Sequence, residues 1–133
     1  MNRQKTFEKV VDHLMAQRLP AVAPEGNCYY RMANGKRCAI GALIPDELYD
    51  ERMELNGVAN IVSAFPALQA VLGIESPQDV VFLSELQELH DRFGLFSWEE
   101  YVCKDFLYCL NGFRDRHDLV WREDWKVPAR YRR

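Results

Sequence analysis

Apolar residues open the chain with a helical period. Phe7, Val10, Val11, Leu14 and Met15 fall at i, i+3, i+4, i+7 and i+8, which is one face of an α-helix. Pro20 disfavours helical geometry in the residue before it, so this helix spans about residues 3–18, and residues 20–27, with Pro20, Pro24, Gly26 and Asn27, read as a loop. The period then changes. Cys28-Tyr29-Tyr30-Arg31-Met32 and Lys36-Arg37-Cys38-Ala39-Ile40 flank Ala33-Asn34-Gly35, and Asn-Gly supplies the positive φ angles of a tight turn, which predicts a β-hairpin. Pro45 and Asp46 open a short helix through Tyr49, with Asp46 as its cap. Val58, Ile61, Val62, Phe65, Leu68 and Leu72 predict two helical pieces broken near Pro66 and closing at Gly73. Ser76-Pro77 starts a further helix with Phe82, Leu86, Leu89 and Phe93 inward and Gly94 at its end. Ser97-Trp98-Glu99-Glu100 has the spacing of a capping box before a last helix, with Val102, Phe106, Cys109, Leu110 and Phe113 inward and Asn111-Gly112 near its stop.

No repeat, low-complexity tract or boundary interrupts this pattern, and 133 residues suit one compact core. The expected fold is a single α+β domain over residues 1–133, mainly helical with about five helices and one β-hairpin. Residues 114–133 form a charged, basic C-terminal extension whose order the pattern does not fix. No window reaches the roughly 18 to 20 apolar residues of a membrane helix. The N-terminus lacks the apolar stretch and cleavage site of a secretory signal, which points to the cytoplasm, where the four cysteines would be reduced thiols. Seventeen basic and twenty acidic residues leave a formal charge of −3, too small to argue for nucleic acid as a partner.

The stretch from Cys28 to Tyr49, C-Y-Y-R-M-A-N-G-K-R-C-A-I-G-A-L-I-P-D-E-L-Y, with Met53-Glu54 and Leu86-Gln87-Glu88-Leu89-His90-Asp91, resembles a family of small uncharacterised proteins of tailed phages, prophages and bacterial genomes. The recurring pattern there is C-x-Y-R, a turn, K/R-C-A-x-G-x-L-I, an acidic-tyrosine helix and L-Q-x-x-H-D. The likeness covers about residues 5–110, with Cys38-Ala39-Ile40-Gly41-Ala42-Leu43-Ile44 as its most specific part. This chain departs at Met53-Glu54-Leu55-Asn56-Gly57, where the pattern has Met-Glu-Gly, and in its basic C-terminal end. The resemblance implies a mobile-element setting and action by binding a host protein.

Two function classes follow. In the first, the protein is non-enzymatic and binds a host or phage protein through Tyr29, Tyr30, Arg31, Lys36 and Arg37 of the hairpin and through Trp121, Trp125, Arg130 and Arg132 near the C-terminus, where rings beside Arg suit an interface. The bland alternative is that both Trp side chains fold back as a C-terminal clasp. In the second class, Cys38 is the nucleophile of a thiol-dependent enzyme, its thiolate favoured by Lys36 and Arg37, with His90 as base. Asp91 would not orient His90, since neighbours on a helix point about 100° apart; His90 continues the inward stripe and Asp91 joins Gln87 and Glu88 on the wet side. The plainer reading makes Cys38 a packed apolar residue and His90 a buried, hydrogen-bonded one.

No cofactor motif appears, and a metal is not expected. A two-residue turn puts Cys28 and Cys38 on opposite faces of the ribbon. A three-residue turn returns them to one face, where His90 and one more ligand would complete a zinc site. His90-Asp91 and His117-Asp118, with His13 upstream, are similar to the ligand set of metal-dependent phosphohydrolases with a His-Asp motif, but His117 lies in a charged, solvated stretch and chance pairing is favoured.

Overall fold

The computed structural model describes residues 1–17, 21, 28–92 and 107–125. Helix α1 is Arg3–Gln17, α2 Val58–Ala64, α3 Ala67–Val71, α4 Pro77–Arg92 and α5 Leu107–Arg116, with three single 3₁₀ turns at Gly41–Leu43, Asp46–Leu48 and Glu51–Met53. Asn2 starts α1, its Oδ1 accepting the Lys5 amide at 3.0 Å, and the predicted stripe of Phe7, Val10, Val11 and Leu14 is fully buried. α1 packs on the Gly41–Leu43 turn, α2 on α3 and α4, and α4 on α5. The break near Pro66 falls where the pattern puts it. Gly73 closes α3 at φ 70, with Ile74 N–H reaching back to the Gln69 carbonyl at 2.9 Å.

Two expectations are corrected. Among the described residues there is no β-strand, so the fold is mainly helical rather than α+β, and the β-hairpin is replaced by a turn closed by one isolated bridge, Arg31 to Arg37. The turn itself forms as read, with Gly35 at φ 89 and Asn34 Oδ1 accepting the Lys36 amide. What fails is the ladder, because side chains from elsewhere take the amides it needs. Of the amides that face the partner segment in this register, Tyr30 N–H donates to the Glu54 carboxylate at 2.8 Å and Ile40 N–H to Gln87 Oε1 at 3.0 Å, while the outward-facing amides of Arg31 and Arg37 go to Glu54 and to Gln17 Oε1. Arg31 opposite Arg37 is the register of the three-residue turn, with Cys38 beside Tyr30.

The second correction concerns helix ends. α5 runs through Asn111-Gly112 to Arg116, and it stops where Asp118 takes φ 53 and Leu119 N–H returns to the Arg114 carbonyl. The 3₁₀ turn after Pro45 carries no side-chain cap; Asp46 instead pairs with Arg31 at 2.7 Å and Arg37 at 3.3 Å. Phe93, Gly94 and the capping box at Ser97 lie outside the described residues.

The core is aromatic at its centre. Phe7 stacks on Phe113 at 5.8 Å, Phe113 meets Phe82 at 5.3 Å, and Trp125 stands edge-on to Phe7 at 5.6 Å. The segment after α5 is therefore docked as far as Trp125. No helix among the described residues is long and apolar enough to cross a membrane.

Candidate functional site

Three stretches of the chain converge beside α4. Tyr30 is pinned from above and below: its hydroxyl donates to the Asn56 carbonyl at 2.6 Å, and Gly41 lies so close that a Cβ there would stand 1.9 Å from the Tyr30 carbonyl oxygen. Only glycine allows that approach. Glu54 joins the same knot, taking the Tyr30 and Arg31 amides and the Tyr49 hydroxyl. Arg31 lies over the Tyr49 ring at 4.8 Å and donates to the Ile44 carbonyl. These contacts fix Cys28 against the C-terminal half of α4.

There Asp91 is an acceptor for three donors. His90 Nδ1 lies 3.1 Å from Asp91 Oδ1, and Gln87 Nε2 donates to the same oxygen at 2.7 Å. The Cys28 thiol donates to the Asp91 carboxylate as well, and burial first, then that negative charge and hydrogen bond, push it up to about 12. Ala21 N–H donates to His90 Nε2 at 3.1 Å, so the ring proton sits on Nδ1 and is shared with Asp91. Adjacent positions on a helix thus do meet here, against expectation, because a short side chain at Asp91 bends back to the inward ring of His90. Gln87 is also inward rather than wet, holding the Ile40 amide with its oxygen and Asp91 with its nitrogen.

An open cavity of about 250 Å³ lies over this cluster, lined by Cys28, Tyr29, Tyr30, Leu55, Asn56, Gly57, Gln87 and Asp91. The Asp91 side chain is 42% exposed in its wall. Leu55 stands on the rim, 75% exposed and at φ 64. That backbone conformation is uncommon for any residue other than glycine and is a form of strain that concentrates at contact sites.

The residues picked from the sequence are placed as follows. Cys38 is fully buried, its Sγ accepting the Gly41 amide, and burial raises its thiol well above the ordinary range. A substrate has no access to it, and it is Cys28 whose thiol shares a cluster with His90. Tyr30 is buried, Tyr29 and Lys36 are half-buried, and Arg31 and Arg37 are paired with Asp46. Trp125 is 6% exposed and donates from Nε1 to Asp12 at 2.7 Å, with Trp121 edge-on to it at 4.9 Å; the clasp is what forms. Arg130 and Arg132 lie outside the described residues. The three histidines are apart in role: His13 Nε2 donates to the Arg37 carbonyl, and His117 is wedged between Phe82 and Phe113 with Nε2 2.6 Å from Glu85.

Sequence reasoning missed Asp91 and Leu55 as site residues. One signal was present for each: Gln87 and Asp91 at i, i+4, and Leu55 standing where the resembled pattern has glycine. Among the described residues, Cys28, His90 and Asp91 are also the group able to hold a metal, their ligand atoms lying within 4.8 Å of one another. Whichever ring nitrogen took the ion, the Ala21 amide would lose its acceptor, a cost of about 1–3 kcal/mol. Comparison with protein-family models, with curated proteins and with solved structures finds no match to this chain.

Proposed function

We propose that this protein acts by binding another protein, a host or phage protein in the mobile-element setting that the resemblance implies, and that its contact surface is the Leu55 rim and the cavity beneath it. The observation that carries this reading is the left-handed backbone of Leu55, which holds an apolar side chain at the rim of the open cavity. Arg31, Arg37 and Trp125 lose their place in the proposal, since their side chains are already paired within the fold, while Tyr29 and Tyr30 keep theirs only as part of the cavity lining. The thiol reading loses support as well: Cys38 is sealed and Cys28 is held as a neutral thiol, whereas the nucleophile is the thiolate.

The test compares the native chain with Leu55→Gly, which relieves the backbone and removes the side chain. Tagged protein is used to capture a stoichiometric partner, and the affinity of both forms for it is measured. A partner that binds Leu55→Gly at least about tenfold more weakly, while the variant is no less stable to denaturant, supports the proposal. Equal affinity, or no stoichiometric partner in any lysate tried, overturns it. A thiol probe at neutral pH closes the alternative: Cys28 and Cys38 should label no faster than Cys109.

A further inference from the structure

We propose that Cys28, His90 and Asp91 bind one divalent cation of the zinc class. The inference is independent of any protein partner.

Three donors of different chemistry, a thiol sulfur, an imidazole nitrogen and a carboxylate oxygen, come from two stretches far apart in the chain and lie within 4.8 Å of one another. Zinc bond lengths of about 2.0–2.3 Å in a tetrahedron separate ligand atoms by roughly 3.3–3.8 Å, so the donors need to draw in by only about 1 Å. His90 and Asp91, 3.1 Å apart, are already close to that spacing. Gln87 holds Asp91 from behind and is itself held by the Ile40 amide, the kind of outer support that orients a ligating carboxylate. Cys28 and Asp91 both face the cavity, which leaves the fourth position open to water and gives the ion a way in. Among the described residues no Lys or Arg lines that cavity to oppose a cation. One sulfur, one imidazole and a single carboxylate favour zinc-like ions over magnesium or calcium, which take oxygen ligands.

Loading balances simply. The ion displaces the thiol proton to solvent, and thiolate and carboxylate together neutralise its two charges. When Nδ1 is the ligating nitrogen, the imidazole proton moves to Nε2 and the Ala21 amide turns from it; when Nε2 ligates, the ring proton stays on Nδ1 and the same amide gives way to the ion. Either way the Ala21 amide contact and the thiol's hydrogen bond to Asp91 are given up, together with the His90–Asp91 hydrogen bond when Nδ1 ligates, and three metal bonds replace them.

The experiment is a titration of chelator-stripped full-length protein with cobalt(II), read by absorption. The expected result is saturation at one equivalent, with visible bands of four-coordinate cobalt and a near-ultraviolet sulfur-to-cobalt charge-transfer band. That band should vanish in Cys28→Ser and persist in Cys109→Ser. No saturable binding, or a charge-transfer band that survives Cys28→Ser, overturns the proposal. Asp91→Asn provides a second route that does not depend on Cys28→Ser folding, because the Asp91 side chain is 42% exposed. Its cobalt affinity should fall at least about tenfold, and unchanged affinity overturns the site.

Discussion

Leu55 at φ 64 carries a Cβ in a region where left-handed backbone costs an ordinary residue about 1–2 kcal/mol. Replacing it with Gly removes that cost and adds roughly 0.5–1 kcal/mol of backbone entropy to the unfolded chain, so Leu55→Gly should stabilise by about 0.5–1 kcal/mol in urea unfolding. Leu55→Ala keeps the strain and should gain nothing; equal gains in both would show that the backbone is not strained. Gly41 has the opposite sign. A methyl there meets the Tyr30 carbonyl at 1.9 Å, a backbone group that cannot swing aside, so Gly41→Ala should cost about 3 kcal/mol or more, the upper end of overpacking. Asp79 brings a pH dependence. Its carboxylate accepts the Glu75 amide at 2.9 Å and pairs with Arg3 at 3.0 Å, and these contacts hold it below the usual carboxylate range. A depressed folded pKa means stability that is present at neutral pH and lost as pH falls through the ordinary value near about 4 toward the folded one. The stability gap between native and Asp79→Asn should therefore be about 1 kcal/mol at pH 7 and close in acid; a gap that widens in acid would contradict the assignment.

At the scale of elements, the segment after α5 acts as a clasp on α1. Trp125 buries its ring on Phe7 and bonds Asp12, while Arg122 reaches Asp12 at 2.7 Å and also pairs with Asp124. Trp125→Ala should cost about 3–5 kcal/mol, the range for emptying a buried aromatic site, whereas Trp125→Phe loses chiefly the hydrogen bond to Asp12 and should cost about 1–2 kcal/mol. Both are read by denaturant unfolding, and a Trp125→Ala cost below about 1 kcal/mol would mean the segment is not docked. The helices α1 to α4 were legible because each buries one stripe, and periodicity of 3.6 reports that burial directly. The turn at Asn34-Gly35 was legible too, since its φ angles are set locally. The failed hairpin was not: Glu54 and Gln87 take the Tyr30 and Ile40 amides from elsewhere in the chain, and such long-range bonds leave no mark in a local pattern. The end of α5 was misread for a related reason, an internal Gly112 being tolerated in a packed helix while the left-handed stop falls to Asp118.

Across the whole molecule, α4 serves two separate regions. Its first half, through Phe82 and Glu85, meets α5 and the aromatic core that the clasp closes, and its last turns carry Gln87, His90 and Asp91 to Cys28. Only part of the second region could be read beforehand: His90 was placed inward by the stripe, but its meeting with Cys28 depends on the path of the whole intervening chain, and Asp91's return to the ring depends on a rotamer. Among the described residues Trp125 and Asp91 share no bonded partner, the one engaging Phe7, Asp12, Trp121 and Arg122, the other His90, Gln87 and Cys28. Residues without shared partners contribute additively, within about 0.5 kcal/mol, whereas bonded neighbours couple by more. A double-mutant cycle of Trp125→Phe with Asp91→Asn should therefore be additive within about 0.5 kcal/mol, while Gln87→Ala with Asp91→Asn should show coupling above that, both from urea unfolding. Coupling in the first cycle would mean that the clasp and the site move as one unit, and substitutions at the site would then disturb the fold they are meant to leave intact. Additivity would leave the Leu55, Cys28 and Asp91 variants as clean reporters of binding.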